Sequence, residues 1–246
     1  MKETDIKAVK QMAKLFLYFE PQKTKFSPAI ISHPFTDSGI TMCKGEDGQA
    51  PELLNILEDD DAMVRWRQDK RAQIEAIREP SQMLALLTKP YYLTFLKYAS
   101  PYLSQQDHSK YLASAWIMEE APNGNRNFTV KQMAELFKQA DPKAIMDAEE
   151  YAQFQQLPDT VTIYRGVTSF NAKRIKALSW TLSKDTAEWF ANRFGEKGTV
   201  YQAQIKKEHI LALFNGRNES EVIVDPKYLN GIAPARQQKQ GLSMEM

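Results

Sequence analysis

With 246 residues, 43% apolar and 26% charged, the chain has the composition of a soluble globular protein of one large or two small domains. Its formal net charge of +1 excludes global electrostatic steering toward nucleic acid or a membrane. A single cysteine, Cys43, excludes an internal disulfide, fits a reducing compartment and reads as a buried structural thiol.

The N-terminus has apolar residues at amphipathic spacing, with Lys7, Lys10 and Lys14 between them. It lacks the unbroken apolar stretch of a signal peptide, and no run approaches a transmembrane helix, so a cytoplasmic location without a membrane partner is expected. Ile6, Val9, Met12, Ala13, Phe16 and Leu17 recur at helical spacing until Pro21. Residues 22–51, with their prolines and glycines, read as a loop region with an extended piece at 39–43. Helix signals return over 51–57. They return again over 62–78, behind the acidic run Glu58-Asp59-Asp60-Asp61, which suits the positive end of a helix dipole. Pro80, Pro90 and Pro101 punctuate shorter helical pieces, and 105–120 reads as another helix. Thr129 and Gln132 have capping-box spacing ahead of a helix to Ala140. Asp141-Pro142 opens a last helix to about Gln156.

The pattern changes at Leu157-Pro158-Asp159. Strand signals follow at 161–164, 177–183, 198–205, 209–214 and 221–225, with a short helix over 185–194. Helices first and strands later predict an α+β fold, the helical N-terminal part packed on a mixed or antiparallel β core. The chain is read as one unit: a mainly helical part over 1–156, a β-rich catalytic core over 157–230 and a flexible tail over 231–246. An independent helical regulatory domain at 1–120 is the alternative.

Three stretches of the β-rich part carry candidate chemistry. Tyr164-Arg165-Gly166 places an arginine at a strand end, where its planar fork suits a phosphate, beside a glycine whose bare backbone a ligand could approach. Ser179, Thr181 and Ser183 alternate along a strand and share a face, so they call for polar partners; the plain alternative has Ser183 capping the next helix. Ala187, Phe190 and Ala191 give that helix a narrow face suited to close packing on a sheet. Glu219 and Glu221, two apart, would put like charges on one side of a strand, directly after the polar turn Asn215-Gly216-Arg217-Asn218.

An arginine, a hydroxyl cluster and a paired glutamate, in that order, resemble the R-S-E class of mono-ADP-ribosyltransferases, the type found among bacterial ADP-ribosylating toxins and effectors. The resemblance covers about residues 157–226. It implies a transferase-type β core with NAD as co-substrate. Arg165 would hold the NAD phosphates, Gly166 would pair with the nicotinamide carboxamide, and Thr181 and Ser183 would support the NAD site. Arg193 and Phe194 stand where a phosphate-nicotinamide loop should begin, with Trp189 a rival to Phe194 for the aromatic role. Leu182 departs from the central threonine of the family's motif, and Thr181 stands for its first serine. Glu221 corresponds to the catalytic glutamate and Glu219 to the residue that acts on the incoming nucleophile.

The scattered His33, His108 and His209 lack metal-ligand spacing with Cys43, so no metal is expected, and no dinucleotide fingerprint or P-loop occurs. The basic stretch Asn171-Ala172-Lys173-Arg174-Ile175-Lys176 reads as a surface loop able to touch a phosphate backbone. The resulting expectation is a mono-ADP-ribosyltransferase acting on a macromolecular target, protein arginine slightly ahead of an RNA or DNA base. It would be an intracellular toxin or phage-related effector, with an antitoxin or inhibitor protein as a further partner. An NAD glycohydrolase and a non-catalytic NAD- or partner-binding protein are the alternatives.

Overall fold

The computed structural model describes residues 2–43, 50–195 and 197–235, apart from the Phe194 side chain. The chain divides into two compact units, one of residues 1–129 with 139–145 and the other of 130–138 with 146–246. The division therefore falls within the helical part, not at the 156/157 change of pattern.

In the first unit, α1 (Ile6–Leu17) is capped by Asp5 and buries Val9, Ala13, Phe16 and Leu17, the stripe legible in the sequence. The next segment departs from its expectation as loop, except over the extended piece expected at 39–43. β1 (Gln22–Lys23), β2 (Ile30–His33) and β3 (Thr36–Ser38) form a small antiparallel sheet. β4 (Ile40–Cys43) pairs with β5 (Glu52–Asn55). The helix expected over 51–57 is thus a strand: Leu54 is buried and Leu53 is 71% exposed, a period of two that the pairing imposes over leucine's helical preference. Cys43 is buried, which pushes its thiol up.

Helix α2 (Asp60–Ala76) starts where the acidic run predicts, the Asp59 carboxylate accepting from the N–H groups of Asp61 and Ala62. α3 (Tyr92–Ala99) and α4 (Gln105–Met118) follow, separated by a 3₁₀ turn at Ser100–Tyr102. Trp66, Phe95, Tyr111 and Trp116 fill this unit's core.

α5 (Val130–Lys138) begins the second unit. The single helix expected over 141–156 is broken into α6 (Pro142–Ile145), which belongs to the first unit, and α7 (Ala148–Gln156), which belongs to the second. A capping box causes the break: Asp147 accepts from the Glu150 N–H while Glu150 accepts from the Asp147 N–H.

The second unit is a six-stranded sheet of order β11-β8-β6-β7-β10-β9, every neighbouring pair antiparallel. Its strands are β6 (Thr160–Val167), β7 (Ser179–Thr181), β8 (Thr199–Lys206), β9 (Ile210–Phe214), β10 (Glu221–Val224) and β11 (Asn230–Pro234). β11 corrects the expected tail: residues 230–234 pair with β8 at the sheet edge, where Pro234 removes no inner hydrogen bond. The rest of that tail, 236–246, lies outside the described residues. The observed class is α+β with antiparallel sheets.

Helix α8 (Lys184–Asn192) joins β7 to β8 and packs tightly. Ala187 and Ala191 are buried. A Cβ on Gly166 would come within 2.3 Å of the Ala187 carbonyl, and one on Gly198 within 2.5 Å of the Ala191 carbonyl. Small residues on the helix, a glycine in β6 and another just ahead of β8 thus bring helix and sheet backbones together, the packing its narrow face predicts.

Candidate functional site

Arg165 and Gly166 lie inside β6, not at its end, because the strand continues to Val167. Along its β8 edge β6 is paired throughout, from Thr160↔Lys206 to Val167↔Thr199. Along its β7 edge the only registered pair is Tyr164↔Thr181. Beyond that pair the Arg165 guanidinium donates through Nη1 to the Ser179 carbonyl of β7. A side chain, rather than a backbone ladder, therefore ties the two strands together here.

Thr181 is the centre of the arrangement. It stands opposite Tyr164 on one side and Glu221 on the other. Its buried hydroxyl donates to the Glu219 carbonyl at 2.6 Å and accepts from the Ser183 N–H at 3.0 Å. Alongside, the Leu182 N–H donates to the Ser220 carbonyl at 3.0 Å. The third hydroxyl, Ser183, caps α8 by accepting from the Thr186 N–H at 3.1 Å. The plain capping role is therefore filled; its O–H remains a donor. Ser179 contributes its carbonyl to Arg165.

Glu221 is 6% exposed at the start of β10. Arg165 is half-buried, with its Nε shut off from solvent and without a hydrogen-bond partner. Burial pulls the guanidinium down to about 10, and the Glu221 carboxylate opposes that shift. The two charges therefore sense each other although β7 separates their strands.

Glu219 departs from its expected geometry. It precedes the strand, and Ser220 between the glutamates is left-handed at φ 44°, as is Asn218 at φ 55°. The two-residue spacing thus spans a kink, and the shared face that an extended strand would give does not apply. Such conformations are disfavoured for residues with a Cβ, and this pair brackets Glu219. The Glu219 carboxylate lies 3.4 Å from Arg217 Nε.

Gly166 also serves a purpose other than the one its sequence suggests. The space a side chain would take is occupied by the α8 backbone, so its bareness is a packing requirement. Its carbonyl accepts from Asn171 Nδ2 at 3.4 Å. Arg193, at the end of α8, lies over the rings of Trp189 and Phe190 at 5.5 and 5.3 Å. Trp189 is 62% exposed, so it is not a core residue. The Phe194 side chain lies outside the described residues. The structure thus gathers Arg165, Thr181, Ser183, Glu219 and Glu221 around the ends of β7 and β10; Arg193 is fixed separately on α8.

One group was missed in the sequence. The buried Glu150 carboxylate, besides capping α7, accepts from the Asn215 N–H at 2.7 Å, and Gln153 accepts from Asn215 Nδ2 at 2.6 Å. Helix α7 thereby anchors the turn leading to Glu219. The signal available was the Asp147-x-x-Glu150 capping spacing, which fixes where that carboxylate sits.

Among the described residues no group of three or more His, Cys, Asp or Glu could hold a metal ion, and no helix is long and apolar enough to cross a membrane. No protein-family model, curated protein or solved structure matches the chain.

Proposed function

We propose that the chain is a mono-ADP-ribosyltransferase that cleaves NAD and transfers ADP-ribose to a macromolecular target. The observation that carries this reading is the junction of β6, β7 and β10. There, a half-buried arginine with a buried, unpartnered Nε, a buried threonine and a buried glutamate are brought onto neighbouring strands from three separate sequence stretches. A cation, a positioned hydroxyl and a carboxylate fit a diphosphate joined to a sugar whose glycosidic bond is to be broken.

NAD supplies the reactive bond: the carbon–nitrogen bond to nicotinamide breaks, and its electron pair leaves with the ring, which departs neutral. No general acid is required. Glu221 offsets the positive charge developing on the ribose, a carboxylate role shared with other glycosyl transfers. Burial strengthens that interaction by excluding water. Thr181 holds the chain ahead of Glu221 through the Glu219 carbonyl and stands in register with Glu221 itself. Arg165 contributes the cation for the phosphates, and Ser183 has an O–H to donate. Glu219 takes the proton of the incoming nucleophile, whose lone pair forms the new bond to the ribose.

The test is incubation of the purified chain with NAD labelled in its adenylate part, together with cell lysate. Label is expected on macromolecules, with nicotinamide released in equal amount. Release without attached label would identify a glycohydrolase instead, and no release would refute the enzyme reading.

A further inference from the structure

The segment joining β6 to β7 is held by hydrogen bonds of its own. Asn171 Oδ1 accepts from the Thr168 N–H at 2.8 Å, and its carbonyl accepts from the Arg174 N–H at 2.8 Å. Residues 172–174 form a 3₁₀ turn. Both ends are fixed to the candidate site: the loop leaves β6 directly after Arg165-Gly166-Val167 and returns at Ser179, the residue that receives the Arg165 guanidinium.

Two kinds of group are displayed on it. Lys173, Arg174 and Lys176 are exposed, and no acidic residue occurs anywhere from Gly166 to Leu182. Phe170 is 79% exposed. Burial of a phenylalanine ring stabilises a fold, yet most of this one is left to solvent on a loop held by its own hydrogen bonds. Cations following an exposed aromatic on a hydrogen-bonded loop match the combination that recognises single-stranded nucleic acid, phosphates meeting the cations and a base stacking on the ring. The chain's net charge of +1 conceals this local excess.

We propose that this loop binds single-stranded nucleic acid, RNA or DNA, as the target of the reaction. Lys173, Arg174 and Lys176 contact successive phosphates, and Phe170 stacks on a base beside the Arg165–Glu221 junction. In the transfer, a base nitrogen or sugar oxygen gives its lone pair to the ribose carbon, nicotinamide leaves with the old bond pair, and the nucleophile's proton passes to Glu219. Binding by the loop stands on its own; the transfer rests on the transferase reading.

The test is fluorescence anisotropy of labelled oligonucleotides, about 15 nucleotides long, mixed-sequence RNA in one arm and DNA in the other, with the full chain at about 50 and 200 mM salt. Binding that weakens steeply with salt is expected. Replacing Lys173, Arg174 and Lys176 together by alanine should reduce affinity at least tenfold and lower the salt slope by about 2, at roughly 0.7 per lost phosphate contact on a single strand. Phe170→Ala should weaken binding by about fivefold to a hundredfold with the slope unchanged. Melting temperatures of both variants, measured beside the parent's, separate lost binding from lost folding. No binding at the lower salt, or binding that neither variant alters, would overturn the proposal. So would competition by polyglutamate equal to that by unlabelled oligonucleotide together with an indifferent Phe170→Ala, which would make the partner an acidic protein. Nicotinamide release, measured in parallel, reports on the other reading: binding without release keeps the loop and sinks the transferase, and release without binding does the reverse.

Discussion

The two edges of β6 differ sharply. Toward β8 the strand is registered residue by residue from Thr160 to Val167, and α8 presses on it so closely that Gly166 has no room for a methyl group. Toward β7 it has the one pair Tyr164↔Thr181, and the arginine side chain takes over where the ladder stops. The closed edge supplies rigidity. The open edge supplies polar groups not consumed by sheet pairing, and the candidate chemistry lies there. A charge shut off from water is costly unless something satisfies it, so Arg165 on this edge and Glu221 two strands away are the groups whose replacement tests the proposed chemistry.

The largest expected effect breaks the open edge chemically. Glu221→Gln keeps the shape and removes the charge, and NAD cleavage should fall by about two to three orders of magnitude in a folded protein. Parent-like nicotinamide release would remove Glu221 from the reaction. Glu219→Ala tests the kinked approach to the same strand: transfer to target should fall well beyond any loss of NAD hydrolysis. Equal loss of both would make Glu219 a support for Glu221 instead.

On the closed edge, Gly166→Ala should damage folding itself. The added methyl meets helix backbone at 2.3 and 2.5 Å, which cannot swing aside, so a loss of about 1–3 kcal/mol in chemical denaturation is expected. A neutral result would mean that α8 is not seated as described. The smallest effect concerns the turn. Ser220→Gly relieves a left-handed backbone at a residue with a Cβ and should gain up to about 1 kcal/mol of stability. If the kink matters for placing Glu219, transfer should nevertheless decline.

Local signals in the sequence placed several of these features. Asp59 and Ser183 cap the helices that follow them, and the alanines of α8 announce close packing. The β-rich runs after Pro158 locate every strand of the sheet except β11. What could not be read depends on partners distant in the chain or on backbone conformation. The strand at 52–55 exists because β4 pairs with it, and no helix propensity in Glu-Leu-Leu-Asn foretells that. Gly166 looked like a ligand's point of approach, and only the path of α8 shows why it carries no side chain. The spacing of Glu219 and Glu221 implied an extended strand, while the left-handed Ser220 lies between them. Arg165 was recognisable as a candidate, but its bond to the Ser179 carbonyl requires knowing that the β6–β7 ladder stops after one pair.

Whether the open edge of β6 is an NAD site can be decided by calorimetric titration of NAD into the parent chain and into Arg165→Lys. Lysine keeps the positive charge but loses the planar fork that can hold a phosphate and a carbonyl at once. The parent is expected to bind NAD and the variant, with its fold intact, to bind at least about tenfold more weakly, near the loss of one charge-assisted hydrogen bond. Equal dissociation constants for the two proteins, or no heat of binding from the parent, would contradict it.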